Sequence, residues 1–255
     1  MENWAIILGA SSGIGAECAL KLAENNINIY GIYLRKKQSE VDKLKEKIKH
    51  LGVKVIYKKA NASNEEKRLA IINDLKNLGD IRIKFFIHSI AFGTLKKMIG
   101  EKSDTLNNKN IEMTQDVMCN NFIYWTQSLF ENKFLKSGSH ILSMTSAGGR
   151  QNWKNYGAVS LAKSGLESAT RQLSLELAPY GISANAIQAG VTDTAALRKI
   201  PGYEKMILTA ENNNPHRRLT TPKDIAEFIE ILVNYESSWL TGNVIRVDGG
   251  ESVTN

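Results

Sequence analysis

Hydrophobic residues in this chain form short runs that alternate with stretches of helical periodicity. The apolar runs predict strands at Trp4–Leu8, Ile27–Tyr33, Val53–Tyr57, Ile83–His88, His140–Thr145, Ile182–Ile187 and Val244–Val247. Periods near 3.6 residues predict helices over 13–25, Glu40–Lys49, 64–77, 112–135 and 156–178, and Thr221-Pro222 begins another. This alternation predicts one α/β domain over residues 1–255, a Rossmann-type doubly wound parallel sheet of about seven strands with helices on both faces.

Ligands of doubly wound sheets bind beyond the carboxyl ends of the strands. We therefore expect the functional residues in the segments that follow strands: 9–15, 33–36, 60–62, 89–93, 143–146 and 189–195. Residues 190–220 lack a strong period, and we predict that they form a substrate-binding loop or lid within the same domain.

The composition narrows the class of protein. With 33 basic and 26 acidic residues the net charge is +7, which indicates either a solvated surface or attraction to an acidic partner. We expect no nucleic-acid partner because no basic stripe is interleaved with aromatic residues. No apolar run approaches the roughly 20 residues of a membrane helix, so we expect a cytoplasmic protein without membrane insertion. The two cysteines and four histidines show no metal-ligand spacing, and we expect no metal.

A glycine-rich segment, Gly9-Ala10-Ser11-Ser12-Gly13-Ile14-Gly15, joins the first strand to the first helix. Gly9 permits a tight turn, Gly13 lets a pyrophosphate approach the backbone, and Gly15 allows close packing of helix and strand. The free N–H groups of the helix N-terminus favour an anion. The segment therefore predicts a dinucleotide phosphate loop, with binding residues Gly9, Ser11, Ser12, Gly13, Ile14 and Gly15.

Two basic residues, Arg35 and Lys36, follow the second strand, where NAD-binding proteins usually carry a carboxylate for the ribose hydroxyls. Cations at this point favour a 2′-phosphate, which predicts NADPH, with NADH as the alternative. Two exposed cations at a helix entry are also an ordinary surface feature, and this interpretation stays open.

Tyr156 and Lys163 form the candidate catalytic pair. A tyrosine hydroxyl has an ordinary pKa of about 10, and we expect the Lys163 ammonium to lower it by favouring the phenolate. Seven residues return to nearly the same face of a helix, so both side chains can point into one site.

These motifs, together with Val247-Asp248-Gly249-Gly250 near the end, resemble the short-chain dehydrogenase/reductase superfamily over essentially the whole chain. Leu8 departs from that pattern, since a Thr usually precedes the first glycine. Val159 stands where most members carry the catalytic Tyr, four residues before Lys163. The longer Tyr-x6-Lys spacing resembles the NAD(P)H-dependent enoyl-acyl carrier protein reductases of that superfamily. So do the segments His88-Ser89-Ile90-Ala91-Phe92-Gly93 and Ala189-Gly190-Val191-Thr192-Asp193-Thr194-Ala195-Ala196.

The resemblance implies roles for individual residues. Lys163 would bind the nicotinamide ribose as well as assist catalysis. Ser146 stands ten residues before Tyr156, where related enzymes carry a second Tyr or a Ser, and would be catalytic, with Ser143 and Thr145 as alternatives. Asn61-Ala62 matches the adenine-binding position, and Asn can both donate and accept there. Further cofactor contacts would come from Ser89, Ile90, Ala91, Gly190, Val191, Thr192 and Thr194.

The resulting functional hypothesis is NADPH-dependent reduction of the 2,3 double bond of a trans-2-enoyl thioester in fatty-acid or related acyl-chain synthesis. A Tyr displaced by one helical turn suits hydride addition at the β-carbon, with charge developing on the thioester oxygen further away. The resemblance also implies a homotetramer and a substrate on acyl carrier protein, an acidic partner suited to Lys96, Lys97, Arg198, Lys199 and Lys205. The alternatives are reduction of a 3-oxoacyl thioester or another carbonyl and, further off, a non-catalytic cofactor-binding protein.

Overall fold

The computed structural model describes residues 1–101 and 103–254. In this part of the chain seven parallel strands form one sheet in the order β3-β2-β1-β4-β5-β6-β7. Their bounds are β1 Glu2–Leu8, β2 Asn28–Tyr33, β3 Val55–Lys59, β4 Ile81–His88, β5 His140–Ser146, β6 Ser183–Ala189 and β7 Val244–Val247. The strand order reverses between β1 and β4, the place where doubly wound sheets bind ligands. The predicted fold class is confirmed.

Helices cover both faces of the sheet: α1 Gly13–Glu24, α2 Gln38–Lys49, α3 Glu65–Lys76, α4 Asn108–Gln115, α5 Asn121–Glu131, α6 Gly157–Leu177, α7 Tyr203–Asn213 and α8 Pro222–Ile231. Strand β1 shows why both faces are covered. Its side chains alternate, so Trp4 and Ile6 join one buried apolar cluster while Ala5 and Ile7 join the other. Among the described residues no helix is long and apolar enough to cross a membrane.

The helix predicted over 112–135 is interrupted. It begins earlier, at α4, where Asn107 caps the first turn by accepting a hydrogen bond from the Asn110 amide at 3.0 Å. A π-helical segment, Asp116–Asn120, then widens the helix before α5 continues it. An inserted turn of this kind leaves the apolar pattern nearly unchanged, so periodicity alone does not reveal it.

Residues 190–220 are more ordered than their weak period predicted, because they contain helix α7. Gly202, in the left-handed region at φ +80°, turns the chain into this helix. Its inner face carries Tyr203, Met206, Ile207 and Ala210, a spacing of three, four and seven residues that is typical of a half-buried helix. The sequence signal for α7 was present and was overlooked, so the segment predicted to be a substrate-binding loop or lid contains a helix.

The phosphate loop packs directly on the ends of neighbouring strands. The Gly9 amide donates to the Ile32 carbonyl at 2.9 Å, and the Ser89 amide donates to the Leu8 carbonyl at 2.9 Å. Gly9 has φ +84°, and a Cβ there would lie 2.3 Å from the Ser89 carbonyl oxygen. Gly15 is equally restricted, since its Cβ would lie 2.3 Å from the Gly9 oxygen. Gly15 therefore permits packing of the helix against the loop, where close packing against the strand was predicted.

We predict that Gly9→Ala destabilises the protein by about 3 kcal/mol, since it adds overpacking against the Ser89 carbonyl to the cost of a left-handed alanine. Gly52→Ala is the matched control. Gly52 has the same φ of +84° but open space around its Cβ position, so only the conformational cost of about 1 kcal/mol remains. Urea unfolding measures both variants, and equal losses would contradict the steric explanation.

Candidate active site

A cavity of about 580 Å³ opens at the carboxyl end of the sheet. Segments that follow β1, β2, β4, β5 and β6 line it, together with α7 and the residues after β7. Most of the residues predicted for the site lie on this wall: Ser12, Ile14, Arg35, Ser89, Ile90, Ala91, Ser146, Tyr156, Lys163, Gly190, Val191, Thr192 and Thr194. The predicted residues outside this lining are Gly9, Ser11, Gly13, Gly15, Lys36, Asn61 and Ala62.

Strand β5 and helix α6 bring the three candidate catalytic residues together. Ser146 is the last residue of β5, and Tyr156 is the N-cap of α6, two turns before Lys163. Asn155, in the left-handed region at φ +63°, turns the chain into the helix. The Tyr156 ring packs on Gly148, where a Cβ would approach the ring to 2.5 Å. Val159, at the usual Tyr position, is buried and lines the cavity beside Tyr156.

Burial governs the protonation of the candidate pair. It lowers the pKa of Lys163 to about 8, against the opposing charge of Glu167. The ammonium of Lys163 donates to the Met144 carbonyl oxygen at 2.5 Å. Burial raises the pKa of Tyr156, and the neighbouring Ser146 hydroxyl lowers it by a smaller amount. The expectation that Lys163 lowers the Tyr156 pKa is therefore wrong.

The three hydroxyls at the end of β5 differ in what they contact. The Ser143 hydroxyl pairs with Thr170 at 3.1 Å, and the Thr145 hydroxyl donates to the Glu167 carboxylate at 2.9 Å. The buried Ser146 hydroxyl meets the geometry of a hydrogen bond with no group among the described residues, although it lies close enough to the Tyr156 phenol to lower its pKa. Of the three hydroxyls, Ser146 is therefore the one that can bind a ligand together with Tyr156.

The first turn of α1 faces the cavity without a side-chain cap. Ser12 is the N-cap in extended conformation, and its hydroxyl makes no capping hydrogen bond. Gly13 has φ +54°, and its Cβ position meets only the Thr194 methyl group, at 3.5 Å. An anion therefore finds both open space and unpaired N–H groups at this helix end.

The two predicted phosphate-binding cations differ in their surroundings. The exposed Arg35 guanidinium stacks on Phe92, 3.5 Å from the ring centroid. Lys36 instead forms an ion pair with Glu40 at 2.7 Å. Of the two predicted adenine-binding residues, Asn61 is exposed and its side chain accepts a hydrogen bond from the Ser63 amide. Ala62 is buried, and its carbonyl oxygen accepts from the Trp125 indole at 2.9 Å.

The loop after β6 folds through its own threonines. Thr192 donates to the Gly190 carbonyl oxygen at 2.9 Å, and Thr194 accepts from the Leu197 amide at 3.2 Å. Val191 donates its amide to the Glu251 carboxylate at 3.0 Å. This loop is therefore held from two directions, by local turns and by the end of the chain.

Sequence reasoning missed several residues of the wall. The apolar ones include Leu95, Trp153, Ile200 and Met206, and the polar ones include Gln151, Asn152 and Glu251. The α7 periodicity pointed to Met206, but no motif pointed to Trp153 or Glu251.

His88, at the end of β4, is buried, and burial together with the charge of Lys163 lowers its pKa to about 3. His88 is therefore neutral near pH 7 and is not the acid of this site.

Comparison with known proteins agrees with this arrangement. A model of the enoyl-(acyl carrier protein) reductase family matches residues 9–252. The enoyl-[acyl-carrier-protein] reductase [NADH] FabI of Haemophilus influenzae is 30% identical over 169 residues, and the match spans 66% of this chain and 64% of that protein. The protein of the same name from Enterococcus faecalis is 24% identical over 252 residues, 98% of this chain and 97% of that protein.

The crystal structure of the enoyl-[acyl-carrier-protein] reductase (NADH) from Aquifex aeolicus VF5 has the same fold. Its TM-score is 0.84 at 22% identity, over 100% of this chain and 97% of that one. The family model extends from the phosphate loop to Ser252 and so includes the residues that line the cavity except Thr254. The chain belongs to the enoyl-(acyl carrier protein) reductase family.

Proposed function

We propose that this protein is an NADPH-dependent reductase of trans-2-enoyl thioesters carried on acyl carrier protein. The observation that carries the proposal is the position of Tyr156, which lies at the N-cap of α6 beside Ser146, while Val159 fills the usual Tyr position. The relatives from Haemophilus and Enterococcus carry the same activity in their names.

The residues of the groove fit a nicotinamide dinucleotide. The open first turn of α1 suits its pyrophosphate, and Arg35 lies at the end of β2, near the position of an adenosine ribose. The loop after β6 lines the same cavity as Tyr156 and Lys163, where the nicotinamide would lie. When bound, the dinucleotide supplies the hydride of the reduction.

Arg35 supports the choice of NADPH. Its stacking on Phe92 uses the flat face of the guanidinium and leaves the in-plane N–H donors available to a 2′-phosphate. Lys36 is the weaker candidate because Glu40 already neutralises it. The named activity of both relatives is with NADH, so the proposal rests on Arg35 of this chain.

Each candidate catalytic residue has one role in the proposed reaction. Tyr156 donates a hydrogen bond to the thioester oxygen, stabilises the enolate charge that develops there, and supplies, directly or through water, the proton that completes the reduction. Its raised pKa keeps the phenol protonated until that charge appears. Ser146 donates a second hydrogen bond to the same oxygen or orients the phenol. The Lys163 ammonium binds the cofactor ribose and adds positive charge.

The apolar part of the cavity wall suits an acyl chain, and cations in the surrounding segments suit its acidic carrier. Leu95, Trp153, Ile200 and Met206 belong to this apolar part. Of the cations expected near the entrance, Arg198 pairs with Asp193, Lys97 pairs with Asp104, and Lys96 donates to the Ser103 carbonyl. Lys199 and Lys205 are exposed without an ion pair among the described residues, so we assign carrier attraction to them first.

Ser146 is also the observation that favours a second candidate, reduction of a 3-oxoacyl thioester or another carbonyl. A Ser at this point is the rule in the wider superfamily, and its hydroxyl suits a ketone oxygen as well. The Tyr-to-Lys spacing argues for the enoyl substrate, and the assay that follows separates the two. A non-catalytic role would require that Tyr156→Phe leave the cellular function unchanged.

We expect turnover of a crotonyl thioester and none of an acetoacetyl thioester, followed by NADPH absorbance with NADH in parallel. Tyr156→Phe should lower kcat for the crotonyl substrate by about 100-fold or more, because the hydrogen bond to the enolate oxygen is lost. Tyr180→Phe, an exposed tyrosine distant from the cavity wall, is the control. Turnover of the keto substrate alone would overturn the enoyl assignment.

The rate should also depend on the protonation of Lys163. Its pKa of about 8 means that the ammonium of the free protein is charged below pH 8 and neutral above it. We expect kcat/KM for the cofactor to fall about tenfold per pH unit above pH 8, because the charged form is the one that binds the ribose and stabilises the enolate. The measurement is a pH profile between 6 and 10, with circular dichroism to verify folding. A flat profile would contradict this role.

Cofactor choice has its own test. We expect Arg35→Leu to lower kcat/KM for NADPH by about 10-fold or more, the cost of a lost charge-assisted contact, and to change the value for NADH by less than about threefold. Lys36→Leu, next in the chain but already paired with Glu40, is the matched control and should have the smaller effect. A wild-type preference for NADH that Arg35→Leu leaves unchanged would assign NADH as the cofactor.

A further inference from the structure

The residues after β7 return to the cavity and form part of its wall. We call Glu251–Thr254 the C-terminal strap. Gly249 and Gly250 adopt left-handed conformations, with φ +62° and +86°, and reverse the chain. The buried Asp248 carboxylate fixes this turn by accepting from the amides of Gly250 at 3.0 Å and Ser252 at 3.2 Å. The turn therefore delivers Glu251 to the cavity at a defined place.

Three hydrogen bonds join the strap to two different parts of the cavity. On the sheet side, Glu251 accepts from the Val191 amide at 3.0 Å, and Ser252 accepts from the Gln188 side chain at 2.7 Å. On the α7 side, Thr254 donates to the carbonyl oxygen of Asn213, the last residue of that helix, at 2.7 Å. The strap thus connects the loop after β6 with the helix that covers the cavity.

Glu251 contacts the loop backbone closely. A Cβ on Gly190 would lie 2.8 Å from the Glu251 carboxylate and 2.4 Å from the Thr220 hydroxyl, so the loop is held between these two side chains. The carboxylate forms no ion pair with a cation in the described part of the chain, and it accepts a hydrogen bond from the Val191 amide. Burial raises its pKa, as expected for a carboxylate taken from water to bind one N–H group.

We infer that Glu251 is a positioning residue, which fixes the backbone of residues 190–194 so that the nicotinamide end of the cofactor meets a preformed surface. This inference rests on the proposed function for the identity of the cofactor. Glu251 acts through its hydrogen bond with the Val191 amide and not through contact with the reacting atoms. Without the carboxylate, the loop loses its fixed acceptor and the nicotinamide must order it on binding.

The test compares whole and truncated cofactors. The probes are NADPH with 2′-phospho-ADP-ribose, and NADH with ADP-ribose; each shorter nucleotide lacks the nicotinamide. We expect Glu251→Ala to raise the Kd of the dinucleotides about fivefold, because the loop must then be ordered on binding, and to leave the Kd of the shorter nucleotides within about twofold. Glu251→Gln keeps an acceptor oxygen and should restore most of the affinity. Glu131→Ala, an exposed glutamate on α5, is the control.

Amide hydrogen exchange provides a readout without cofactor. Peptides covering 189–196 should exchange faster in Glu251→Ala than in the wild type, while Glu251→Gln stays near the wild type and peptides from β1 and β4 do not change. Equal weakening of whole and truncated nucleotides, unchanged affinity, or tighter dinucleotide binding would each overturn the inference. Neither readout uses an enoyl substrate, so failure of the proposed reaction is distinguished from failure of this role.

Discussion

The site depends on the close backbone approach between the ends of β1 and β4. Gly9 lies so near the Ser89 carbonyl that no side chain fits between them, and Gly15 lies equally near Gly9. These contacts set the distance between the phosphate loop and the segment after β4, and hence the width of the groove. Because the strand order reverses between β1 and β4, the cavity opens at the carboxyl ends of the two strands that Gly9 brings together.

A second constraint is the burial of one positive charge on α6. Lys163 is 5% exposed, and its ammonium is held by the Met144 carbonyl and by the opposite charge of Glu167. The cost of burying this cation appears as its lowered pKa. Burial of their own side chains raises the pKa of Tyr156 and lowers that of His88, and the charge of Lys163 lowers the His88 pKa further. An arrangement with one cation, one phenol and one hydroxyl suits the stabilisation of a developing negative charge better than general base catalysis.

The sequence predicted the fold well because the relevant signals are local. Short apolar runs gave the strands, and the glycine spacing located the phosphate loop at the first strand–helix junction. The break at Asp116–Asn120 escaped because a π-helical turn barely alters an amphipathic pattern. For the candidate site, the motifs indicated Tyr156, Lys163 and Ser146. They did not indicate that Lys36 pairs with Glu40 or that Arg35 stacks on Phe92, since such pairings depend on how separate segments meet.

The cavity also joins the two ends of the chain, which bears on how the site is completed. Ser12 and Ile14 line the cavity, and Glu251 contacts the loop after β6. Strand β7 pairs with β6, and the Asp248 turn that follows β7 brings Glu251 to Val191. Both loops at the cavity are therefore held by contacts between residues far apart in the sequence, Gly9 with Ser89 and Val191 with Glu251. The phosphate loop depends on the pairing of β1 with β4, and the loop after β6 depends on the pairing of β6 with β7.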